Sequence, residues 1–129
     1  MNTIQDAKSI LTLNKILIDK LIFERFSDDV CKIDIENPIA FNHQINCIDK
    51  SIYKVCLGAI LTLDSKYNIE VHISGIFELS NESILGQKLL TNNAVAILFP
   101  YLRSQLTLLT SQPGFEPIIL PVMNINVSV

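Results

Sequence analysis

The sequence predicts an α+β chain in which a four-stranded antiparallel sheet comes first and is backed by a short and a long helix in the C-terminal half. Three observations carry that expectation. Residues 39–47, 53–63 and 67–79 alternate apolar and polar side chains with a period of two, the signature of strands with one wet face. Residues 84–111 switch to helical spacing and end at Pro113-Gly114. Charge is segregated as well: from Leu89 to the last residue, Arg103 and Glu116 are the only charged side chains.

A chain of 129 residues reads as one domain, large enough to bury about two-thirds of its unfolded surface. Hydrophobic residues make up 49% and charged residues 18%, which excludes intrinsic disorder. A net charge of −3 gives nucleic acid no reason to bind. The N-terminus carries Asp6 where a signal peptide would be basic, and no uncharged window reaches the roughly 18 to 20 apolar residues of a membrane span. The expectation is a cytoplasmic protein without stable membrane insertion. Cys31, Cys47 and Cys56 form no CxxC pair and read as reduced packing residues.

Taken in order, Ser9 to Phe26 gives mixed signals. Leu11, Leu13, Leu17, Leu21 and Phe23 suit a two-residue period, while Ile4, Ala7, Leu11 and Ile18 partly suit a helix. The β-rich triplets Ile16-Leu17-Ile18 and Leu21-Ile22-Phe23 favour a strand. Ser27-Asp28-Asp29 breaks it, and Pro38 opens the next. Ile39, Phe41, His43, Ile45 and Cys47 then share one face. Tyr53, Val55, Leu57, Ala59, Leu61 and Leu63 share a second, and Tyr67, Ile69, Val71, Ile73, Gly75, Phe77 and Leu79 a third. Asn68, Glu70, His72 and Ser74 on the opposite side are what a half-solvated sheet shows. Asp49-Lys50-Ser51 is short enough for a tight turn and Asp64-Ser65-Lys66 for a hairpin.

Ser80-Asn81-Glu82-Ser83 reads as a helix start. The short helix should end at Asn92-Asn93, with the long one following and Pro100 in its first turn, where no amide is needed. Over residues 97–111 one stripe is Phe99, Leu102, Leu106 and Leu109, and a second is Leu98, Tyr101 and Leu108. A single sheet covers one stripe, so the second is expected to face another copy of the chain.

Catalytic constellations are missing from the sequence. Gly58, Gly75, Gly86 and Gly114 stand alone, so there is no phosphate loop. His43 and His72 lack metal-ligand spacing. A nucleophile pair built from Cys56 and His72 on neighbouring strands is indistinguishable from ordinary sheet pairing, and Asp28, Asp29, Asp34 and Glu36 lack the spacing and glycine of a calcium loop. No cofactor or enzymatic activity is implied. The segment from Phe115 to Ile125 allows two readings, a core-packed tail or the rim of a groove for extended peptides. Pro117 and Pro121 favour the second by keeping it extended and short of backbone donors.

Leu98-Phe99-Pro100-Tyr101-Leu102-Arg103, the helix-length run after it, the Gly114-Phe115 turn and the loop ending Leu120-Pro121-Val122-Met123-Asn124 together resemble the signature of the SecB export chaperones. Tyr53 and Gly75-Ile76-Phe77 sit where that family keeps a Tyr and a Gly-Ile-Phe, and Leu11 to Phe26 is similar to its first strand. The resemblance implies a nucleotide-independent chaperone that holds unfolded or precursor polypeptides in apolar grooves, assembled as a dimer of dimers. It implies that Phe115, Ile118, Leu120, Val122, Met123 and Ile125 line the groove, that Leu98, Tyr101 and Leu108 lie in the oligomer interface, and that Glu24, Glu70 and Asp19 meet the basic tail of the SecA motor.

The family pattern is not followed everywhere. The acid expected at Lys20 is displaced to Asp19, Asn68 replaces an aliphatic residue near Glu70, and the sequence stops at Val129 where the family continues. These departures weaken SecA coupling more than client binding. A chaperone dedicated to a toxin-antitoxin pair or another specific client is therefore an alternative. A small-ligand-binding or enzymatic oligomer with a pocket between sheet and helix is the rival from a different class.

Overall fold

The computed structural model describes residues 11–26, 39–63, 67–80 and 84–121, with backbone alone at 63 and 84–89. Four strands, β1 (Leu11–Arg25), β2 (Ala40–Asp49), β3 (Ile52–Leu63) and β4 (Tyr67–Leu79), form an antiparallel sheet of order β1-β4-β3-β2. A helix, α1 (Ile84–Thr110), lies chiefly across β4. Beyond it, Gly114 adopts φ 76, a backbone state that glycine enters without penalty. The amide of Phe115 donates to the carbonyl of Gln112 at 3.1 Å, and residues 116–121 run back over the core as an extended strap with no strand pairing.

Alternation places the inner face of the sheet. Val55, Leu57, Ile69, Val71, Ile73, Phe77 and Leu79 are fully buried against Leu90, Leu98, Leu102 and Leu106 of the helix. Each such side chain contributes about 1.5 to 3 kcal/mol. Helix and sheet approach closely at Gly75: a Cβ there would stand 2.7 Å from Phe77 Cε1 and 2.9 Å from Leu98 Cδ2. The β2-β3 connection is the expected tight turn, with Asp49 opposite Ile52 and Lys50 at φ 38. Asp64-Ser65-Lys66 lies outside the described residues.

The mixed signal of the first strand has a structural cause. Pairing of β1 with β4 shifts between Leu13 and Lys15 and again between Ile18 and Lys20, so Asn14 and Asp19 are extra residues in bulges. Each bulge changes which parity faces the helix. Leu11 and Leu13 oppose Leu79 and Phe77, then Ile16 and Ile18 oppose Gly75 and Ile73, then Leu21 and Phe23 oppose Val71 and Ile69. Leu17, grouped by sequence with Leu13 and Leu21, opposes Ser74 on the other face.

The expected pair of helices is corrected to one. α1 runs unbroken through Asn92-Asn93 and through Pro100, which sits in the helix interior and not in a first turn. Asn92 and Asn93 are exposed while Leu90, Ala94 and Val95 around them are buried. Asn lowers helix propensity by at most about 0.7 kcal/mol, less than burying any one large apolar neighbour returns. Pro100 and Ala96 both lie on the exposed side, so the carbonyl that Pro100 leaves without an amide partner is on the wet flank of the helix.

Candidate functional site

The most unusual local structure is the strap and its seat. Phe115, Ile118 and Leu120 are only 9%, 8% and 7% exposed, whereas Glu116, Pro117 and Ile119 face outward. The ring of Phe115 meets Phe23 of β1 at a centroid distance of 5.0 Å and Tyr67 of β4 at 4.9 Å, both edge to face. Phe23 and Tyr67 also contact each other at 5.8 Å. Such arrangements contribute about 0.5 to 1.5 kcal/mol beyond area burial. At these three positions, expected to line a groove, the side chains turn into the core of their own chain. Val122, Met123 and Ile125, the remaining groove expectations, lie outside the described residues.

Two helix threonines hold the strap's backbone. Thr107 Oγ1 donates to the carbonyl of Ile118 at 2.8 Å, and the amide of Ile118 donates to Thr110 Oγ1 at 2.8 Å. The hydroxyls stand in for the neighbouring strand that the strap lacks. Sequence reasoning missed both. The available signal was a pair of threonines three residues apart in an otherwise leucine-rich helix end.

A second surface is the sheet face turned away from the helix. Lys20, Ile22 and Glu24 of β1 stand opposite His72, Glu70 and Asn68 of β4, so Glu24 and Glu70 share that face. Asp19 lies in the bulge beside Lys20. Glu70 is already engaged: its carboxylate accepts from His72 Nε2 at 2.9 Å and from Asn68 Nδ2 at 3.2 Å. The hydrogen bonds from His72 and then Asn68 hold its pKa below the usual carboxylate range. His72 Nδ1 and Asn42 Oδ1 would each lie 2.6 Å from a Cβ at position 58, so a larger residue there would require both side chains to shift. Cys56 is on the same face opposite Ser74. Burial pushes its thiol pKa up, with Asp19 adding to the effect against Lys54, opposite to what an activated nucleophile requires.

The third surface is the outer side of α1. Ile97, Tyr101 and Leu108 are 37%, 47% and 65% exposed at spacings of four and seven, which places them in one stripe. Leu98 does not belong to it. Leu98, expected in an oligomer interface, is 0% exposed and packs on Gly75 within its own chain. The helical angle explains this: Leu98 falls between Ala94, Val95 and Leu102, all buried. Among the described residues no group of His, Cys, Asp and Glu is arranged to hold a metal, and no helix is long and apolar enough to cross a membrane. An open depression lined by Lys50, Ser51, Tyr53, Leu79 and Ser80 lies at the end of the sheet, not between sheet and helix.

Among the described residues a four-stranded antiparallel sheet carries one long helix, an architecture shared with a SecB-like chaperone. The structure superimposes on the Mycobacterium tuberculosis SecB-like chaperone Rv1957, solved in complex with a ChAD peptide from the HigA1 antitoxin, with a TM-score of 0.71 over 92% of this chain and 91% of that one, at 12% identity. The family described as preprotein translocase subunit SecB matches residues 5–127, and the chain belongs to the SecB family. It is 34% identical over 91 residues to the protein-export protein SecB of Saccharophagus degradans, covering 66% of this chain and 54% of that protein's length. It is 26% identical over 129 residues to the SecB of Azoarcus, covering 93% and 85%. An uncharacterized protein of Methanocaldococcus jannaschii is 36% identical over 95 residues, covering 72% of this chain and 61% of its own length.

Proposed function

We propose that this protein is an ATP-independent holdase that binds unfolded or precursor polypeptides through apolar surface and releases them without chemistry. The observation that carries the reading is the stripe of Ile97, Tyr101 and Leu108 on a helix whose C-terminal two-thirds carries Arg103 as its single charge. Apolar area of that kind on a small protein marks a surface for binding or assembly. In this reading the stripe joins copies of the chain, and the grooves between sheet, helix and strap hold the client. Family membership over nearly the whole chain supports it. The test is suppression of aggregation of a chemically denatured protein diluted into buffer without nucleotide. Full protection at near-equimolar ratio is expected, and unaltered aggregation at a tenfold excess would exclude the holdase.

Delivery to SecA is the weaker part of the family's repertoire for this chain. Glu70 is tied to His72 and Asn68 within its own strand, and exposed charges such as Glu24 and Asp19 contribute only about 0.2 to 1 kcal/mol each in pairs. That favours a chaperone with a dedicated client, as the antitoxin peptide bound to the Mycobacterium tuberculosis protein illustrates for that relative. Calorimetric titration with the SecA C-terminal peptide of the same organism separates the two. Micromolar, salt-sensitive binding abolished by Glu70→Lys would establish the export role, and no binding supports the dedicated one.

A further inference from the structure

The strap raises a question that the holdase reading leaves open: what a client segment looks like when it binds. We infer that residues 115–120 occupy, in the chain at rest, the seat that a client takes, and that the preferred client is an extended run with an aromatic residue followed by aliphatic residues three and five positions later. The inference rests on the proposed holdase function and adds to it a sequence preference and a competition.

The geometry supports it in three ways. The strap docks through side chains at that spacing, Phe115, Ile118 and Leu120, while Glu116, Pro117 and Ile119 point away and carry no constraint. The seat is built by other parts of the chain. Phe23 and Tyr67 form a notch that receives a flat ring edge to face, so another Phe, Tyr or Trp meets the same chemistry. The backbone of one residue is read by two hydroxyls on the helix, Thr107 donating and Thr110 accepting. Any residue except proline satisfies that pair, which makes the contact indifferent to side-chain identity.

The strap is also replaceable. Among the described residues it pairs with no strand, so leaving its seat breaks no ladder, and Pro117 and Pro121 have no amide to lose. Its departure alone would expose the Phe23 and Tyr67 rings and take away the amide that donates to the Thr110 hydroxyl. A client segment that takes its place restores both. Exchange of one extended apolar segment for another restores the same contacts, and a client prevails over the tethered strap by better fit or by further contacts along its length.

A fluorescent peptide of residues 114–120 (Gly-Phe-Glu-Pro-Ile-Ile-Leu) tests the competition directly. It should bind a chain carrying Phe115→Ser and Ile118→Ser at least tenfold more tightly than the unsubstituted chain, and changing the peptide's Phe to Ser should weaken binding about tenfold. Equal affinity for both chains, or binding to neither, overturns the inference. Should the substituted chain fail to fold, hydrogen exchange on the unsubstituted protein gives the same decision. With saturating denatured client, the Ile118 amide should exchange at least tenfold faster while the β3 and β4 amides keep their protection. An Ile118 amide that stays protected means the strap stays put, and the inference falls. Aggregation suppression by the unsubstituted chain, measured alongside, separates the outcomes: if it persists while the peptide and exchange results are negative, the holdase reading survives and only the strap inference is lost.

Discussion

The hydroxyl of Thr110, buried near the end of α1, accepts the amide proton of Ile118 at 2.8 Å and donates its own to the carbonyl of Leu106 at 2.8 Å. One side chain thus ties the strap to the helix at a point where neither has a strand partner. Thr110→Val keeps the shape and removes both bonds, leaving the Ile118 amide buried without an acceptor at a cost of about 1 to 3 kcal/mol. Thermal melts should show a loss of several degrees for Thr110→Val and little change for Thr110→Ser. Equal melting of the valine and native proteins would mean that the bond does not hold the strap.

Gly75 and Leu98 should behave as one unit. Gly75→Ala places a methyl group 2.9 Å from Leu98 Cδ2 and 2.7 Å from Phe77 Cε1, and overpacking of this kind costs about 1 to 3 kcal/mol. Adding Leu98→Ala makes room, so the double variant should be more stable than the sum of the two single losses by 0.5 kcal/mol or more, within the usual range of about 0.5 to 3 for residues in contact. Denaturant midpoints of the four proteins measure the coupling. Strict additivity would place Leu98 away from Gly75.

Two leucines ten residues apart on α1 should give opposite phenotypes. Leu108→Glu changes an exposed position and should leave the far-ultraviolet spectrum unaltered while reducing the assembled mass in light scattering. Leu98→Glu buries a charge without a partner and should unfold the chain, since uncompensated buried charge costs about 3 to 5 kcal/mol. A Leu108→Glu protein with native mass would remove the helix stripe from the assembly.

Acid should weaken the fold partly through Glu70. Its pKa is depressed in the folded chain by the hydrogen bonds from His72 and Asn68, so the unfolded chain takes up that proton at a higher pH than the folded one. The resulting stabilisation is complete above the unfolded value, about 4.3, and is lost as pH falls through the folded value. The melting difference between native protein and Glu70→Gln should shrink as pH falls below about 4. A difference that does not change with pH would assign the effect to packing.

Strands β3 and β4 were legible because each keeps one parity facing the helix from end to end, and β2 does so up to the register shift between Cys47 and Asp49. β1 was legible as a strand but not in its facing, since its two bulges change parity at Asn14 and Asp19 and break the two-residue pattern. The helix was legible as helix but not as one piece. Asn92, Asn93 and Pro100 are local breakers, and their suppression depends on what Leu90, Ala94, Val95 and Leu98 bury against. For the same reason Leu98 was read as outward. The strap was legible as extended from its prolines, whereas the direction of Phe115, Ile118 and Leu120 depended on Phe23 and Tyr67, more than 45 residues away in the chain.

The bulges in β1 also decide where the strand can change length. Removing Asp19 would straighten the ladder and leave Leu21 and Phe23 facing the helix as before, with a carboxylate gone from the opposite face. Removing Leu17 instead would invert the neighbouring side chains as far as the nearest bulge, because the regular stretch between the bulges has no slack of a single residue. Asn14 and Asp19 are thus the two places in β1 where a one-residue deletion leaves the inner face intact.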